Sequence, residues 1–297
     1  MAYSMLVLGD SVTWGQGLLD GQKMHDIVRD KIAQTHGPVR ALQLAHSGAV
    51  IGVDSGAASA ACDGEVPTSF PTILQQCAAA PETDVDLVIL NGGINDIDIR
   101  YILNPFTERE DLADVTRRFC GKDMAVLLDA VLARFPSAKV VATSYYPVLS
   151  AASHVPLVDD FMLTLGIPVT PLTRFVDDSL IVERIVGNCE LFFSESTAAL
   201  TAAAAAANAE AQGRVSVAAP PFVDENAALA PDAWLFGVRA DLSPEDPVAA
   251  ARHASCDKCL EDFLMREQCY RASTGHPNVT GARKFADAIL AAIGSSA

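Results

Sequence analysis

The sequence predicts an α/β protein, a three-layer α/β/α sandwich in which helices cover both faces of a central, mostly parallel sheet of five strands. Short apolar runs alternate along the chain with longer segments whose apolar residues recur every three or four positions, which is the pattern of successive βαβ units. With 297 residues, of which 50% are hydrophobic and 20% are charged, the chain can also bury the core that such a sheet requires.

The first half of the chain contains three of the predicted strands. The first covers residues 5–8, and the second and third cover residues 39–45 and 84–90. Between the first two strands, one helical face is formed by Met24, Ile27, Val28 and Ile32. A loop rich in Gly, Ala, Ser and Asp follows over residues 48–68, where it flanks any site at the strand ends.

The second half supplies the other two strands, predicted over residues 139–144 and 215–218. A helix over residues 124–135 precedes the fourth strand, because its apolar residues fall at steps of three and four until Pro136 stops it. The last helix is predicted to bury one face, formed by Ala282, Phe285, Ala286, Ile289, Leu290 and Ile293.

We expect residues 1–297 to form a single domain that carries two insertions. One is helical and spans about residues 150–213; the other is loop-rich and spans about residues 220–270. The helical insertion is either a packing element or a cover over the site that contributes Phe192 or Phe193. Because surface insertions vary freely on a fixed scaffold, substrate choice is expected to reside in these two segments.

Ser11 is the first candidate for a catalytic group. The first strand ends in Gly9-Asp10-Ser11, followed by a polar turn and an amphipathic helix. Ligands of open α/β sheets bind at the carboxyl ends of the strands, which is where this serine would lie. A lone Gly-Asp-Ser tripeptide more often caps the next helix, so the rest of the chain has to decide between cap and nucleophile.

Three further segments carry polar residues at comparable places. Ser47-Gly48 follows the second strand, Asn-Gly-Gly-Ile-Asn-Asp at residues 91–96 follows the third, and Ser-Thr-Gly-His at residues 273–276 leads into the last helix. With Ser11, these segments resemble the four sequence blocks of the SGNH, or GDSL, hydrolase superfamily in their order and spacing. The resemblance covers the scaffold up to about residue 148 and again from about residue 214. It implies a flavodoxin-like SGNH fold and a GDSL-type esterase or lipase.

The resemblance also assigns roles that acyl transfer requires. Ser11 would be the nucleophile, and His276 would be the base that takes its proton and later protonates the leaving alcohol. The main-chain amides of Ser11 and Gly48 and the side-chain amide of Asn95 resemble the family's oxyanion hole. We therefore expect a serine carboxylesterase that works through an acyl-enzyme, with neither a metal nor an organic cofactor.

One position departs from the family pattern. The family usually has Asp three residues before the histidine, and this chain has Ser273 there. Some members that lack the acid resemble a Ser-His dyad, in which a main-chain carbonyl at this position orients the imidazole. We adopt this interpretation for Ser273, since a carbonyl can fix the tautomer although it brings no negative charge. The alternative is a carboxylate that reaches in from elsewhere, with Asp10 or Asp96 nearest by motif position.

The natural substrate is left open among ester classes, because the motifs bind the acyl carbonyl and not the leaving group. A carbohydrate O-acetylesterase is favoured if Trp14 and Trp234 form a platform for a sugar, and a phospholipase or thioesterase of the same superfamily is also compatible. A non-catalytic binding module on the same fold is the competing class. That class would not require Ser11, Asn95 and His276 together.

Composition restricts the partners. The net charge of −16 argues against nucleic acid, because phosphate backbones demand basic patches. No apolar run is long enough to span a membrane, and the chain begins without the features of a signal peptide, so a small-molecule or lipid ester and a cytoplasmic location are expected. Ser11 lies so close to Met1 that any export signal would have preceded this chain.

The seven cysteines allow three interpretations. Disulfides could clamp the loop before His276, or all thiols could be free. A structural zinc could instead be held by four residues of one segment, namely His253, Cys256, Cys259 and Cys269.

Overall fold

The structure is a computed structural model that describes residues 2–55, 60–81, 84–155, 158, 161–162, 178–238 and 246–294. It confirms the predicted architecture. Five parallel strands form one sheet in the order β2-β1-β3-β4-β5, where β1 is Tyr3–Val7, β2 is Val39–Gln43, β3 is Leu87–Leu90, β4 is Lys139–Thr143 and β5 is Val215–Ala218.

The helices that precede β4 are mostly short. Their bounds are α1 Ser11–Trp14, α2 Met24–His36, α3 Ile73–Ala79, α4 Ile94–Ile97, α5 Ile99–Ile102, α6 Arg109–Arg117 and α7 Met124–Arg134. A π-helical segment, Arg118–Asp123, joins α6 to α7. As predicted from Pro136, α7 ends just before that proline.

After β4 the described helices are α8 Asp178–Ala211, α9 Ala249–Cys259, α10 Phe263–Tyr270 and α11 Val279–Gly294, with a short 3-10 turn at Asp224–Asn226. None of the helices in the described ranges is long and apolar enough to cross a membrane. In chain order, the helical insertion contributes α8 before β5, and the loop-rich insertion contributes α9 and α10 after it.

Alternate residues of the central strands build two separate cores, as expected for strands covered on both faces. Met5, Val7 and Ile89 point to one core, which α2 and α11 cover with residues such as Val28 and Phe285. The odd-and-even alternation sends the neighbouring strand residues to the other core, which is covered by α3, α7 and α8 and includes Leu6, Leu8, Val88, Leu90, Val140 and Ala142. Together these layers form the three-layer sandwich.

The described part of the helical insertion packs on the scaffold through α8 and also contributes Phe161 to the cavity that Ser11 lines. It holds one 34-residue helix, α8, which lies against α6 and α7 and is tied to α6 by the ion pair of Arg117 with Glu195 at 2.8 Å. Phe192 is fully buried in the core, with its ring centroid 5.5 Å from that of Tyr145. The alternative in which Phe192 or Phe193 covers the site is therefore wrong for Phe192, and Phe193 is not among the residues that line the site cavity either.

Candidate active site

Ser11 is the first residue of α1, at the turn where the chain leaves β1. Asp10 caps this helix, because its carboxylate accepts a hydrogen bond from Val12 N at 2.8 Å. Asn91, which follows β3, accepts from Asp10 N at 3.0 Å and donates to the Asp10 carboxylate at 2.7 Å. Buried hydrogen bonds therefore fix the main chain that presents the serine.

The structure brings Ser11 and His276 together from opposite ends of the chain, with Ser11 Oγ 2.7 Å from His276 Nε2. The histidine lies in a loop that pairs with Phe236. Gly275 N donates to the carbonyl of Phe236, and Phe236 N donates to the carbonyl of His276, each at 2.8 Å. This pairing, which no local pattern in the sequence indicated, fixes the loop that carries the proposed base.

The surroundings of the imidazole favour its neutral form. Burial is the main cause that lowers the pKa of His276 to about 4, and the positive charge of Arg252 acts in the same direction. The main-chain carbonyls of Thr274, Ser273 and Ala272 oppose this shift. A neutral imidazole is the form that can accept the proton of Ser11.

The second ring nitrogen has no side-chain partner in the part of the chain that the structure describes. His276 Nδ1 is buried and makes no hydrogen bond of ordinary geometry there. The Ser273 carbonyl, predicted to orient the ring, accepts instead from the main-chain N–H of His276 at 2.9 Å. The ring makes no hydrogen bond of ordinary geometry with this carbonyl, although the carbonyls of residues 272–274 are close enough to raise the pKa of His276, so the role of Ser273 stays a prediction.

Neither alternative acid reaches the histidine. Asp10 is fully buried and its carboxylate also accepts from the hydroxyl of Tyr145, at 2.7 Å. Asp96 accepts from Ile51 N at 3.0 Å, and burial raises the pKa of Asp96 to about 6. Both carboxylates are thus used to hold the main chain around the site, and the bonds that the structure gives them do not include His276.

The three proposed oxyanion donors line one cavity with Ser11 and His276. Within the described residues, the amides of Ser11 and Gly48 donate to no other group, which leaves both N–H groups available. Asn95 donates one of its two amide hydrogens to the Ala49 carbonyl at 3.0 Å and keeps the other. The cavity is therefore lined by residues that have amide hydrogens free to donate to a ligand.

Residue 48 must be glycine for two reasons, its left-handed main-chain conformation and the close approach of a neighbouring loop. Its φ is +75°, and a Cβ at this residue would lie 2.6 Å from Thr68 N and 2.8 Å from Pro67 C. Both neighbouring atoms belong to the main chain and cannot rotate away. Only glycine fits here, because the loop over residues 67–68 passes directly against it.

The cavity has a volume of about 260 Å³. Much of its wall is apolar and comes from Ile94, Ile99, Tyr146, Val148 and Phe161. Gln268 of the loop-rich insertion also lines the cavity, as do Arg271 and Ala272 just after it; that this segment takes part in substrate choice stays a prediction. Trp14 and Trp234 do not line the cavity, so the condition for a sugar platform there is not met.

Sequence reasoning missed a buried arginine beside the histidine. Arg252 is only 1% exposed and donates to Glu65 Oε1 at 3.0 Å. It also forms an ion pair with Asp246, and Asp246 accepts from the Ser273 hydroxyl at 2.6 Å. Glu65 and Arg252 are 187 positions apart, so no local pattern could have announced the pair.

The cysteines resolve in favour of a disulfide in the segment before His276. Cys256 and Cys269 are bonded and join α9 to α10. The zinc interpretation is wrong, because two of its four proposed ligands are used by this bond, and His253 packs against the ring of Tyr270 instead. No cluster that could hold a metal ion is found among the described residues.

Comparison with known proteins identifies the family and the fold. The sequence profile of the GDSL-like lipase/acylhydrolase family matches residues 7–284, whereas no curated protein matches the chain. Among solved structures, an extracellular lipase from Streptomyces rimosus is similar at 15% identity with a TM-score of 0.54, over 98% of this chain and 100% of the lipase. A phospholipase A1 from Streptomyces albidoflavus is similar at 15% identity with a TM-score of 0.51, over 100% of both chains.

At that identity the two structures establish a shared fold, and the profile establishes the family. The profile spans both ends of the site, since it includes Ser11 near its start and His276 near its end. This chain is an ester hydrolase and belongs to the GDSL-like lipase/acylhydrolase family.

Proposed function

We propose that the protein is a serine carboxylesterase that transfers the acyl group of its substrate to Ser11. The observation that carries this proposal is the 2.7 Å separation of Ser11 Oγ and His276 Nε2 inside a cavity that Gly48 and Asn95 also line. A binding module would need a cavity, but it would not need a nucleophile paired with a neutral base and facing unused amide donors.

The proposed reaction has two halves. His276 Nε2 takes the proton of Ser11 while Oγ attacks the ester carbonyl, and the resulting oxyanion accepts hydrogen bonds from Ser11 N, Gly48 N and Asn95. His276 then gives its proton to the leaving alcohol as the carbon–oxygen bond breaks. In the second half His276 takes a proton from a water molecule that attacks the acyl-enzyme, and it returns this proton to Ser11 Oγ as the acyl–oxygen bond breaks and the free acid is released.

The cavity favours an acyl ester with a short chain. Its volume of about 260 Å³ lies below the roughly 300 to 1,000 Å³ typical of sites for larger ligands. The apolar wall fits the hydrocarbon part of an acyl group, and Arg100 and Arg271 line the same cavity as its charged residues. A panel of p-nitrophenyl esters from acetate to palmitate tests this, with kcat/KM expected to be highest for the short chains.

Ser11→Ala and His276→Ala test the mechanism. Each should lower kcat by on the order of 10³-fold or more, and the double variant should be little worse, because nucleophile and base act as one unit. A serine-directed organophosphate should label wild-type Ser11 and should not label Ser11→Ala. Hydrolysis of activated esters by Ser11→Ala at the wild-type rate would show that another group is the nucleophile.

A further inference from the structure

The loop of residues 270–276 carries His276, and no carboxylate in the described residues bonds to the ring to orient it. His276 Nδ1 is buried, and the described residues offer it no hydrogen bond of ordinary geometry. In a complete triad, an acid holds the imidazole in its tautomer and orientation. Here the direction of the ring depends on how firmly residues 270–276 are held, so the contacts of that loop take on the work of the missing acid.

Arg252 holds that loop directly. Its guanidinium donates twice to the main-chain carbonyl of Tyr270, at 3.2 Å from Nε and 3.0 Å from Nη2. The same Nη2 approaches Ser273 Oγ at 3.4 Å and pairs with Asp246, which accepts from that hydroxyl at 2.6 Å. The planar fork of arginine thereby fixes both Tyr270 and Ser273, the residues that lead to the base.

The other side of Arg252 is linked through Glu65 to the helix that begins at Ser11. Nη1 donates to Glu65 Oε1 at 3.0 Å, and Glu65 accepts from Gly17 N at 3.0 Å and from Trp14 Nε1 at 2.6 Å. Trp14 is the last residue of α1, the helix that begins at Ser11. Glu65 therefore connects the guanidinium to the helix of the nucleophile as well as to the loop that contains Gly48.

We propose that Arg252, with Glu65 and Asp246, is a positioning device that sets the distance between His276 and Ser11 in place of a triad acid. The residues form a buried chain of contacts from the base loop to the nucleophile helix, and Arg252 lies at its centre with 1% of its surface exposed. It touches neither reacting atom. The proposal rests on the proposed function, because it assigns a role in activating Ser11.

The positive charge of Arg252 also affects the pKa of His276. Burial and the charge of Arg252 both lower the pKa of His276, against the carbonyls of residues 272–274. The other charged groups near the ring are Arg100 and Arg271 in the cavity wall, and the charges behind Arg252 are Glu65 and Asp246. Removing the guanidinium should therefore raise the pKa of His276 and move the acid limb of kcat/KM to higher pH.

The test compares Arg252→Met and Arg252→Lys with the control Arg117→Met. Arg117 is also paired with a carboxylate, Glu195, but it is 53% exposed and lies on α6. We expect Arg252→Met to lower kcat and the rate of organophosphate labelling by about 100-fold with little change in KM, as a small displacement of the base would. Arg252→Lys should return the acid limb toward wild type but not kcat, since a lysine keeps the charge and loses the fork.

The outcomes separate this proposal from the proposed function. If the organophosphate does not label Ser11 in wild type, the proposed function fails. If wild type is labelled and folded Arg252→Met keeps kcat and labelling within about threefold of wild type, the positioning proposal fails. If Arg252→Met does not fold, Ser273→Ala decides, because it keeps the carbonyl and removes the bond to Asp246. It should lower kcat by about tenfold, and an unchanged kcat overturns the proposal.

A different observation carries a second inference, at the outer face of the same segment. Ser255 Oγ donates to Asp63 Oδ2 at 3.2 Å, which places α9 against the loop before Glu65. Cys259 lies one helical turn beyond Ser255, and Cys62 lies next to Asp63. Both thiols pack against the apolar cluster of Val66, Cys256, Leu260 and Cys269. The two cysteines thus meet across one interface.

We propose that Cys62 and Cys259 form a second disulfide when an oxidised low-molecular-weight disulfide is present. The two thiols lose two protons and two electrons as the S–S bond forms, and one molecule of glutathione disulfide becomes two molecules of the thiol. The bond would fasten the loop that contains Glu65 to α9, which contains Arg252. Burial and a hydrogen bond with Cys259 raise the pKa of Cys62 to about 11, so the exchange should be slow at neutral pH.

Peptide mapping of the full chain tests the second disulfide. The protein is incubated with oxidised and reduced glutathione at about pH 8.5. It is then denatured in the presence of a maleimide, which alkylates free thiols, and digested without reductant. We expect a Cys62–Cys259 cross-linked peptide beside the Cys256–Cys269 one, with Cys77, Cys120 and Cys189 alkylated. Recovery of Cys62 and Cys259 as alkylated peptides while Cys256–Cys269 stays linked would overturn the proposal. Cys62→Ser is the matched control and should leave Cys259 alkylated.

Discussion

One amide hydrogen of Asn95 is committed to the Ala49 carbonyl at 3.0 Å, and because the amide is planar this bond sets the direction of the other hydrogen. Asn95→Ala removes the free donor. We expect kcat to fall by about 10²-fold to 10³-fold, roughly 3 to 4 kcal/mol of transition-state stabilisation, with little change in KM. Steady-state kinetics with a short acyl ester measures both constants. Asn95→Asp, which has the same shape without the donor, should lose as much, and an effect on KM alone would indicate ground-state binding instead.

Gly48 allows a comparison that separates backbone conformation from space. Gly48→Ala places a Cβ 2.6 Å from Thr68 N at a φ of +75°, whereas Gly21→Ala has a φ of +84° and meets no atom within 4 Å. Both variants carry the strain of a left-handed residue, about 1 to 2 kcal/mol. We expect Gly48→Ala to have the lower melting temperature, because the main chain of residue 48 must move away from residues 67–68. Its kcat should be at least about tenfold lower, because the amide of residue 48 is a proposed oxyanion donor and moves with that main chain. Equal melting temperatures and equal kcat values would contradict this account.

At this scale the sequence predicts residues that act where strands end and misses residues that act through the fold. That Ser11 and Asn95 lie at one edge of the sheet was predictable, because each follows an apolar run and the carboxyl ends of parallel strands meet at one edge. Arg252 was not predictable, because a buried arginine carries no periodic signal and its partner Glu65 comes from a distant loop. The role of Ser273 could be guessed only by resemblance, and the structure shows its hydroxyl bonded to Asp246.

Among the elements, α9 and α10 depend most on a covalent bond. The disulfide joins Cys256 in α9 to Cys269 in α10, 13 positions further along the chain. The double variant Cys256→Ser and Cys269→Ser should lower the free energy of unfolding by about 3 kcal/mol, because the unfolded chain regains the freedom that the loop removed. Denaturant titration under non-reducing conditions measures the difference. The variant should also lose kcat, since the same segment carries Arg252 and leads to His276; wild-type stability in the variant would argue that packing alone holds the segment.

The strands and the helices that cover them were well predicted, and the insertions were not. β5 was predicted with its observed bounds, Val215–Ala218, because a short apolar run between turn residues has few alternatives. The helical insertion was predicted to be helical over about residues 150–213, and α8 forms its second half. The pairing of Phe236 with the loop of His276 involves only main-chain hydrogen bonds, which any two side chains would permit, so no pattern in the sequence could reveal it.

The whole molecule combines a strongly acidic composition with buried titratable groups whose pKa values are shifted by burial. The net charge is −16, yet the one charged group that acts on His276 most strongly is the cation Arg252. Burial also raises the pKa of Asp96 and of Asp10, so the interior around the site disfavours charge of either sign. Composition predicted the absence of a basic surface for nucleic acid, but the electrostatics of the site follow from burial, which a net charge does not report.

This burial predicts an activity that persists in mild acid. The base must be neutral to accept the proton of Ser11, and the pKa of His276 is lowered to about 4. We expect kcat/KM of the wild-type protein to stay flat from about pH 8 to about pH 5 and to fall only below that range. Rates measured at low substrate concentration, after brief exposure to each pH, give the profile. A half-maximal point near the ordinary histidine value of about 6.5 would show that the ring is solvated or paired with an acid during turnover.

Stability should respond to acid through a second histidine that lies outside the proposed machinery. Burial lowers the pKa of His25 to about 4, so between about pH 6.5 and pH 4 the unfolded chain binds a proton that the folded protein does not. Folding stability is therefore lost as the pH falls through that window.

His25→Asn cannot take up this proton, and its side chain can still donate to the Thr13 carbonyl that lies 3.1 Å from His25 Nδ1. We expect the drop in the free energy of unfolding from pH 7 to pH 5 to be smaller in His25→Asn than in wild type, by on the order of 1 to 2 kcal/mol. The raised pKa of Asp96 increases stability as the pH falls, but it does so equally in both proteins, so its contribution cancels in the comparison. Equal drops in the two proteins would mean that His25 is protonated in the folded state.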